Sequence, residues 1–378
     1  MRKQFILSWS IFQSFLSFGQ DVLPMVYDTN ERTQEFILSG GVDYSATSVS
    51  NSLSTFFIRG GEISKEITTE NYEQHQALNR LGIVAQPELE YINYNIRLLK
   101  NRAWGLQIKA GMNTIASSRY TSGLFGLAFL GNERFLGTEV DLSNSTFSYL
   151  SAHKLGVGFI DVKTKSSVTL NLYGITNYAS GHLNDASFSQ DADGYNAEIQ
   201  LSGMFEGPLN STYYKGLGVG IDANFILPIS VFNRQNYIQF QLQNLGVGFL
   251  TGKRIVYQMD TTLNFNGFEI EELIGDESMI SSDSDLLSEL GLKKDTLAAT
   301  PIALPFSIQV GKIVDEQNQQ LIQSFFGLRA MYQKGAIPLV YAGLQVRATD
   351  WLRFGVSANY GGFSNFRVGM YCQVVKGN

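Results

Sequence analysis

The strongest signal along the chain is an alternation of apolar and polar residues with a period of two. Ile92, Tyr94, Ile96 and Leu98 interleave with Asn93, Asn95 and Arg97; after residues 99–102 the pattern resumes with Trp104, Leu106, Ile108, Ala110 and Met112 against Gln107, Lys109 and Asn113. It recurs over 168–173, 196–202 and 217–225, and most cleanly where Ile238, Phe240 and Leu242 face Gln239, Gln241 and Gln243. Successive side chains of a strand point to opposite faces, so each segment reads as a β-strand with one apolar and one wet face. A strand buried on both sides would have no use for three glutamines. The C-terminal third continues the pattern over 306–310, 322–332, 340–346, 352–360 and 366–374, and weaker segments lie at 36–45, 147–159 and 254–262. The total is about fourteen strands, each of bilayer-crossing length.

The connections sort by length. Those near 100 and at 159–166, 206–215, 251–253, 315–320 and 349–350 are short, whereas 46–87, 114–145, 178–194 and 264–304 are long. Short turns on one side and long loops on the other predict an all-β fold: a closed antiparallel transmembrane β-barrel with short helices in extracellular or luminal loops. Trp104 and Trp351 open strands on the short-turn side, where a membrane girdle belongs. At Asn244-Leu245-Gly246 the apolar phase slips, which predicts a bulge or strand end.

The loops add local helix. Leu53, Phe56, Phe57 and Gly60 recur at helical spacing, and residues 66–81 read as a second helix capped by Thr68 or Thr69. The 46–87 segment is therefore either a luminal plug, with Leu53, Phe56 and Phe57 as gate residues, or an external cap; amphipathicity alone leaves both open. A third helix is predicted over 123–129. The 264–304 loop carries nine acidic residues against Lys293 and Lys294, with a helix over 282–291. Its carboxylate spacing matches no EF-hand, so a solvated extracellular face is preferred to a calcium site.

Composition narrows the class. The chain of 378 residues is 12 % aromatic and 16 % charged, with 37 Gly, and no segment after residue 19 approaches the 18 or so continuous apolar residues of a helical span. Residues 1–19, with Arg2 and Lys3 before an apolar stretch, read as a signal peptide, leaving 20–378 as one outer-membrane domain. Removing Arg2 and Lys3 takes the formal charge from −6 to −8, which argues against a nucleic-acid partner because phosphate binding needs a basic patch. Cys372 is the sole cysteine and reads as a small apolar residue.

Catalytic chemistry is absent from the pattern. His75, His153 and His182 have no companions at metal-ligand spacing, and no zinc-protease, Cys-Xaa-Xaa-Cys, Walker or GxSxG motif occurs, so neither an enzyme, a metal nor a cofactor is expected. Glu90, Arg97, Lys109, Glu198, Asp222, Arg329, Arg353 and Arg367 are the lumen-lining candidates, read first as structural ion pairs and second as a selectivity lining.

Several stretches carry a resemblance. Ser17-Phe18-Gly19-Gln20-Asp21 resembles Bacteroidota secretory signals. Ser39-Gly40-Gly41 leading to Ser52-Leu53-Ser54, the run Leu130-Gly131-Asn132-Glu133-Arg134-Phe135-Leu136-Gly137, Leu172-Tyr173-Gly174-Ile175, Gln243-Asn244-Leu245-Gly246 and Phe265-Asn266-Gly267-Phe268 resemble a Bacteroidota outer-membrane barrel family. That family looks like a distant relative of the fourteen-stranded fatty-acid-transporter (FadL-like) barrels. The resemblance implies an outer-membrane protein transporting a hydrophobic small molecule. It also implies an alternative, a non-enzymatic accessory subunit that binds protein secretion or outer-membrane assembly machinery. A general porin ranks third, and outer-membrane lipid is a partner in every case.

Overall fold

The computed structural model describes residues 26–27, 33–96, 104–208, 213–231, 234–251, 254–265, 293–297 and 300–374. The expected signal peptide, Arg97, the expected helix at 282–291 and most of the acidic loop lie outside the described residues, as does the side chain of Phe57.

One sheet contains twenty strand segments. Most join end to end into twelve transits, which we number β1 (Gln34–Ser39 with Val42–Ala46), β2 (Leu78–Ala85 with Glu88–Asn93), β3 (Trp104–Thr121), β4 (Ser145–Asp161), β5 (Ser167–Gln190) and β6 (Ala197–Pro208 with Gly216–Val231). There follow β7 (Arg234–Leu250 with Arg254–Phe265), β8 (Lys293–Leu297, Thr300–Ala303 and Phe306–Asp315), β9 (Ile322–Tyr332), β10 (Ile337–Arg347), β11 (Leu352–Gly362) and β12 (Phe366–Val374). Every transit pairs antiparallel with the next, an up-and-down meander. Side chains return the end of the meander to its beginning: Arg367 of β12 lies 3.2 Å from Asp43 of β1, and Arg80 of β2 donates to Asn365 at 3.2 Å. Phe363, buried between β11 and β12, rests on Gly82 of β2, where a Cβ would find no room.

The count of about fourteen strands is corrected to twelve transits among the described residues. Where turns are expected at 206–215 and 251–253, the described flanking segments do not reverse: Ala197–Pro208 and Gly216–Val231 both pair antiparallel with β5, and each pairs with one part of β7. The Lys215 amide donates to Ile175 at 2.6 Å and the Thr251 amide to Lys215 at 2.8 Å, while β5 runs unbroken past both and pairs with each part of β6. An insertion resets the apolar phase as a turn does, and periodicity cannot tell the two apart. The slip at Asn244 is a bulge: Ile221 pairs with Leu245 and Ala223 with Leu242, so Asp222 faces Gln243 and Asn244 together, and Asn244 takes φ 58°.

Three helices stand at one end, α1 (Asn51–Arg59), α2 (Lys65–Glu73) and α3 (Ser122–Leu130), each capped by a hydroxyl, of Ser50, Ser64 and Thr121, accepting a backbone N–H. The helix expected over 66–81 therefore stops at Glu73, its cap is Ser64 rather than Thr68 or Thr69, and Leu78 already belongs to β2.

The sheet is polar inside and apolar outside. In β4, Leu155 and Val157 are 63 % and 58 % exposed while Lys154 is 8 %. In β5, Leu170 and Leu172 are exposed while Thr169 and Asn171 are buried; in β8, Ile308 and Val310 are exposed while Gln309 is buried. Burying amides and charges while exposing leucines is the reverse of a water-soluble sheet. Among the described residues no helix is long and apolar enough to cross a membrane.

Candidate luminal site

At mid-height five charged side chains meet inside the curled sheet. Lys154 of β4 pairs with Glu88 of β2 and, at 3.1 Å, with Asp222 of β6; Lys109 of β3 lies 3.2 Å from Glu88, 3.9 Å from Glu90 and 4.0 Å from Asp222. The bulge builds this cluster, because the Asn244 amide donates to the second oxygen of Asp222 at 2.7 Å and Tyr173 donates to the Asn244 side chain at 3.0 Å. A lower tier extends it: Gln107 donates to Glu90 and accepts from Thr169 at 2.9 Å. β3 and β6 are separated in the sheet by β4 and β5, so a Lys109–Asp222 contact requires tight curvature.

Above the cluster lies a cavity of about 360 Å³ between the Gly40-Gly41 kink of β1 and the upper parts of β7, β8 and β9. Its roof includes Gln333 of the β9–β10 connection. This four-residue tip reaches across the mouth: Gln333 donates to Ser117 of β3 at 2.8 Å and Lys334 to Ser180 of β5 at 2.8 Å. Gly335, at φ 80°, lies against Ser118 and Arg119, where only a residue tolerating the left-handed region fits easily.

The helices pack on one another at the end of the sheet where α3 follows β3. Leu53 is fully buried with Tyr120 and Phe125, packed by Ile67, Tyr72 and Leu124 from α2 and α3, and Phe56 covers Gly61; neither lines the cavity. His75, beyond α2, stacks on Phe125 at 4.0 Å, its Nδ1 lies 2.6 Å from the Asn71 carbonyl, and Tyr120 reaches its Nε2 at 3.3 Å. Burial lowers its pKa below the usual 6.5. The folded cap thus prefers the neutral ring, and the stability this gives is lost as pH falls through about 6.5 toward the depressed folded value. Limited proteolysis within residues 47–77 is expected to accelerate between pH 7.5 and 5.5 relative to an unstructured control peptide, and His75→Gln to flatten that dependence; a pH-independent wild type would refute the assignment.

Of the sequence candidates, Glu90, Lys109 and Asp222 come together in the mid-height cluster. Arg367 pairs with Asp43 near the mouth, Arg329 borders the cavity, and Arg353 pairs with Glu316 at 3.0 Å at the opposite end. Glu198 is a correction: it is exposed, because Ala197, Ile199 and Leu201 on its strand turn toward Phe135, Val140 and Phe188 instead of outward. Trp104 and Trp351 are exposed at the turn end, Trp104 edge-on to Phe159 at 6.0 Å. Sequence reading missed Glu88, Lys154 and the 333–336 tip. Lys154 alternates with Leu155, Val157 and Phe159, but Gly156 and Gly158 complete its face and carry no polarity to read.

The fold and interior define a curled antiparallel meander with an apolar exterior, a charged waist and a cavity under a hairpin tip. No family model and no curated protein matches the sequence. Among solved structures the P. putida toluene transporter TodX is similar over 91 % of this chain and 79 % of its own, at 8 % identity and a TM-score of 0.33.

Proposed function

We propose that the protein is a β-barrel of the bacterial outer membrane that admits a small organic solute to its lumen and performs no covalent chemistry. The observation that carries this reading is the inversion of polarity: leucine, valine and phenylalanine face outward strand after strand while glutamines, asparagines and ion pairs fill the interior. Such a surface belongs in hydrocarbon, where only structures that satisfy their own backbone hydrogen bonds persist. The charged waist supports a narrow passage over a general porin, and the cavity above it supplies a place for cargo to pause.

Leu170→Arg tests the placement. An outward arginine near mid-bilayer is expected to destabilise the inserted protein by about 2–4 kcal/mol, read as a lower urea midpoint in liposomes. An unchanged midpoint, or a wild-type protein that stays monodisperse in water without detergent, overturns the reading.

A further inference from the structure

We infer that the cavity under the hairpin tip binds a neutral polyhydroxylated solute, a glycoside of one or two sugar rings. This rests on the transport reading above and names its cargo class.

A volume of about 360 Å³ suits a small ligand. The lining is unusual in its amides. Gln86 from the break between the two segments of β2, Gln241 and Gln243 from β7, Gln309 from β8 and Gln333 from the tip converge on one space from separate parts of the chain. Most are held by the wall: Gln86 donates to Asn113 at 2.9 Å, Gln309 to Tyr341 at 3.1 Å and Gln333 to Ser117 at 2.8 Å. In each case the bond uses the NH₂ end and fixes the amide plane, leaving the carbonyl end for another donor. Gln243 is held the other way, its oxygen accepting from Ser307, so its NH₂ end is the one on offer. A hydroxyl both donates and accepts, and a ring of pre-oriented amides of both polarities is the complement of a polyol.

The remaining lining fits the same class. Asp43 and Arg329 contribute one charge of each sign, which favours a ligand without net charge. Tyr332, exposed on the side away from its stacking partner Phe306, offers a flat apolar face, and the C–H face of a sugar ring packs on such a surface. A hydrocarbon would desolvate the amides without bonding them, which is unfavourable for each group so buried. The lining is thus selective against purely apolar cargo.

The test uses the full mature chain in an amine-oxide detergent, because sugar-headed detergents would compete. Titration calorimetry with maltose is expected to show saturable binding that weakens at least tenfold in Gln241→Leu and in Gln309→Leu, while toluene gives no saturable heat. Should a variant fail to fold, swelling of wild-type proteoliposomes in isosmotic maltose, slowed by excess methyl glucoside, supplies the same discrimination. Toluene binding without maltose binding, or maltose binding indifferent to both glutamines, overturns the cargo class and leaves transport standing. Proteoliposomes that pass no solute at all overturn both.

Discussion

Lys154→Met is expected to lower the unfolding free energy by about 3–5 kcal/mol, the usual consequence of leaving a buried charge without its partner. Lys154 is the hinge of the waist: it alone pairs closely with both Glu88 and Asp222, whereas Lys109 is 3.2 Å from Glu88 and 4.0 Å from Asp222. Without it, three carboxylates face one ammonium in a confined interior, where like charges repel with little screening. The loss should appear as a lower melting temperature by circular dichroism in detergent. The double variant Lys154→Met with Asp222→Asn should recover part of it. An asparagine retains the oxygen that accepts the Asn244 amide at 2.7 Å, so the bulge survives while one uncompensated charge disappears. A double variant no more stable than the single one would show that the waist is held by packing rather than by charge balance.

That cluster also shows where sequence was readable. Period-two alternation located β3, the lower half of β5 and the inner glutamine face of β7 because in those segments the outer side chains are apolar and the inner ones polar, so the contrast is written in residue type. It failed where the contrast changes meaning. Residues 178–190, expected as loop, continue β5; there Ala186 and Phe188 are buried against Phe135 and Val140, so the apolar face no longer marks the exterior. The same reversal misplaced Glu198. Interruptions inside β6 and β7 imitated turns and inflated the strand count, while β2 began ten residues before its expected start because Leu78–Ala85, with Gly82 under Phe363, lacks alternation altogether. The site fared likewise: charged residues on alternating strands were legible, but which of them meet depends on a bulge and on curvature, and the cavity amides come from strands far apart in sequence. Period alone does not report closure, and an inward fold of a four-residue connection leaves no compositional trace.

That connection gives the second large expected effect. If solute passes the mouth, the 333–336 tip must move, because Gln333 and Lys334 tie it to β3 and β5 across the opening. A Cβ built on Gly335 would lie 3.5 Å from the Cβ of Arg119, within the separation of about 3.5–4.5 Å that a disulfide spans. The pair Arg119→Cys and Gly335→Cys, in a Cys372→Ser background, should therefore oxidise to a locked mouth; the left-handed φ of 80° at Gly335 adds strain of only about 1–2 kcal/mol to a cysteine there. Solute flux into proteoliposomes is expected to fall at least tenfold on oxidation and to return on reduction. Lys334→Ala, which frees one tie without closing anything, should raise flux. The two changes push in opposite directions from one four-residue segment, which a general loss of folding cannot imitate. Equal flux in the locked and reduced forms would make the tip a fixed part of the wall and move the gate to the helical cap, where Leu53 and Phe125 already seal α1 against α3.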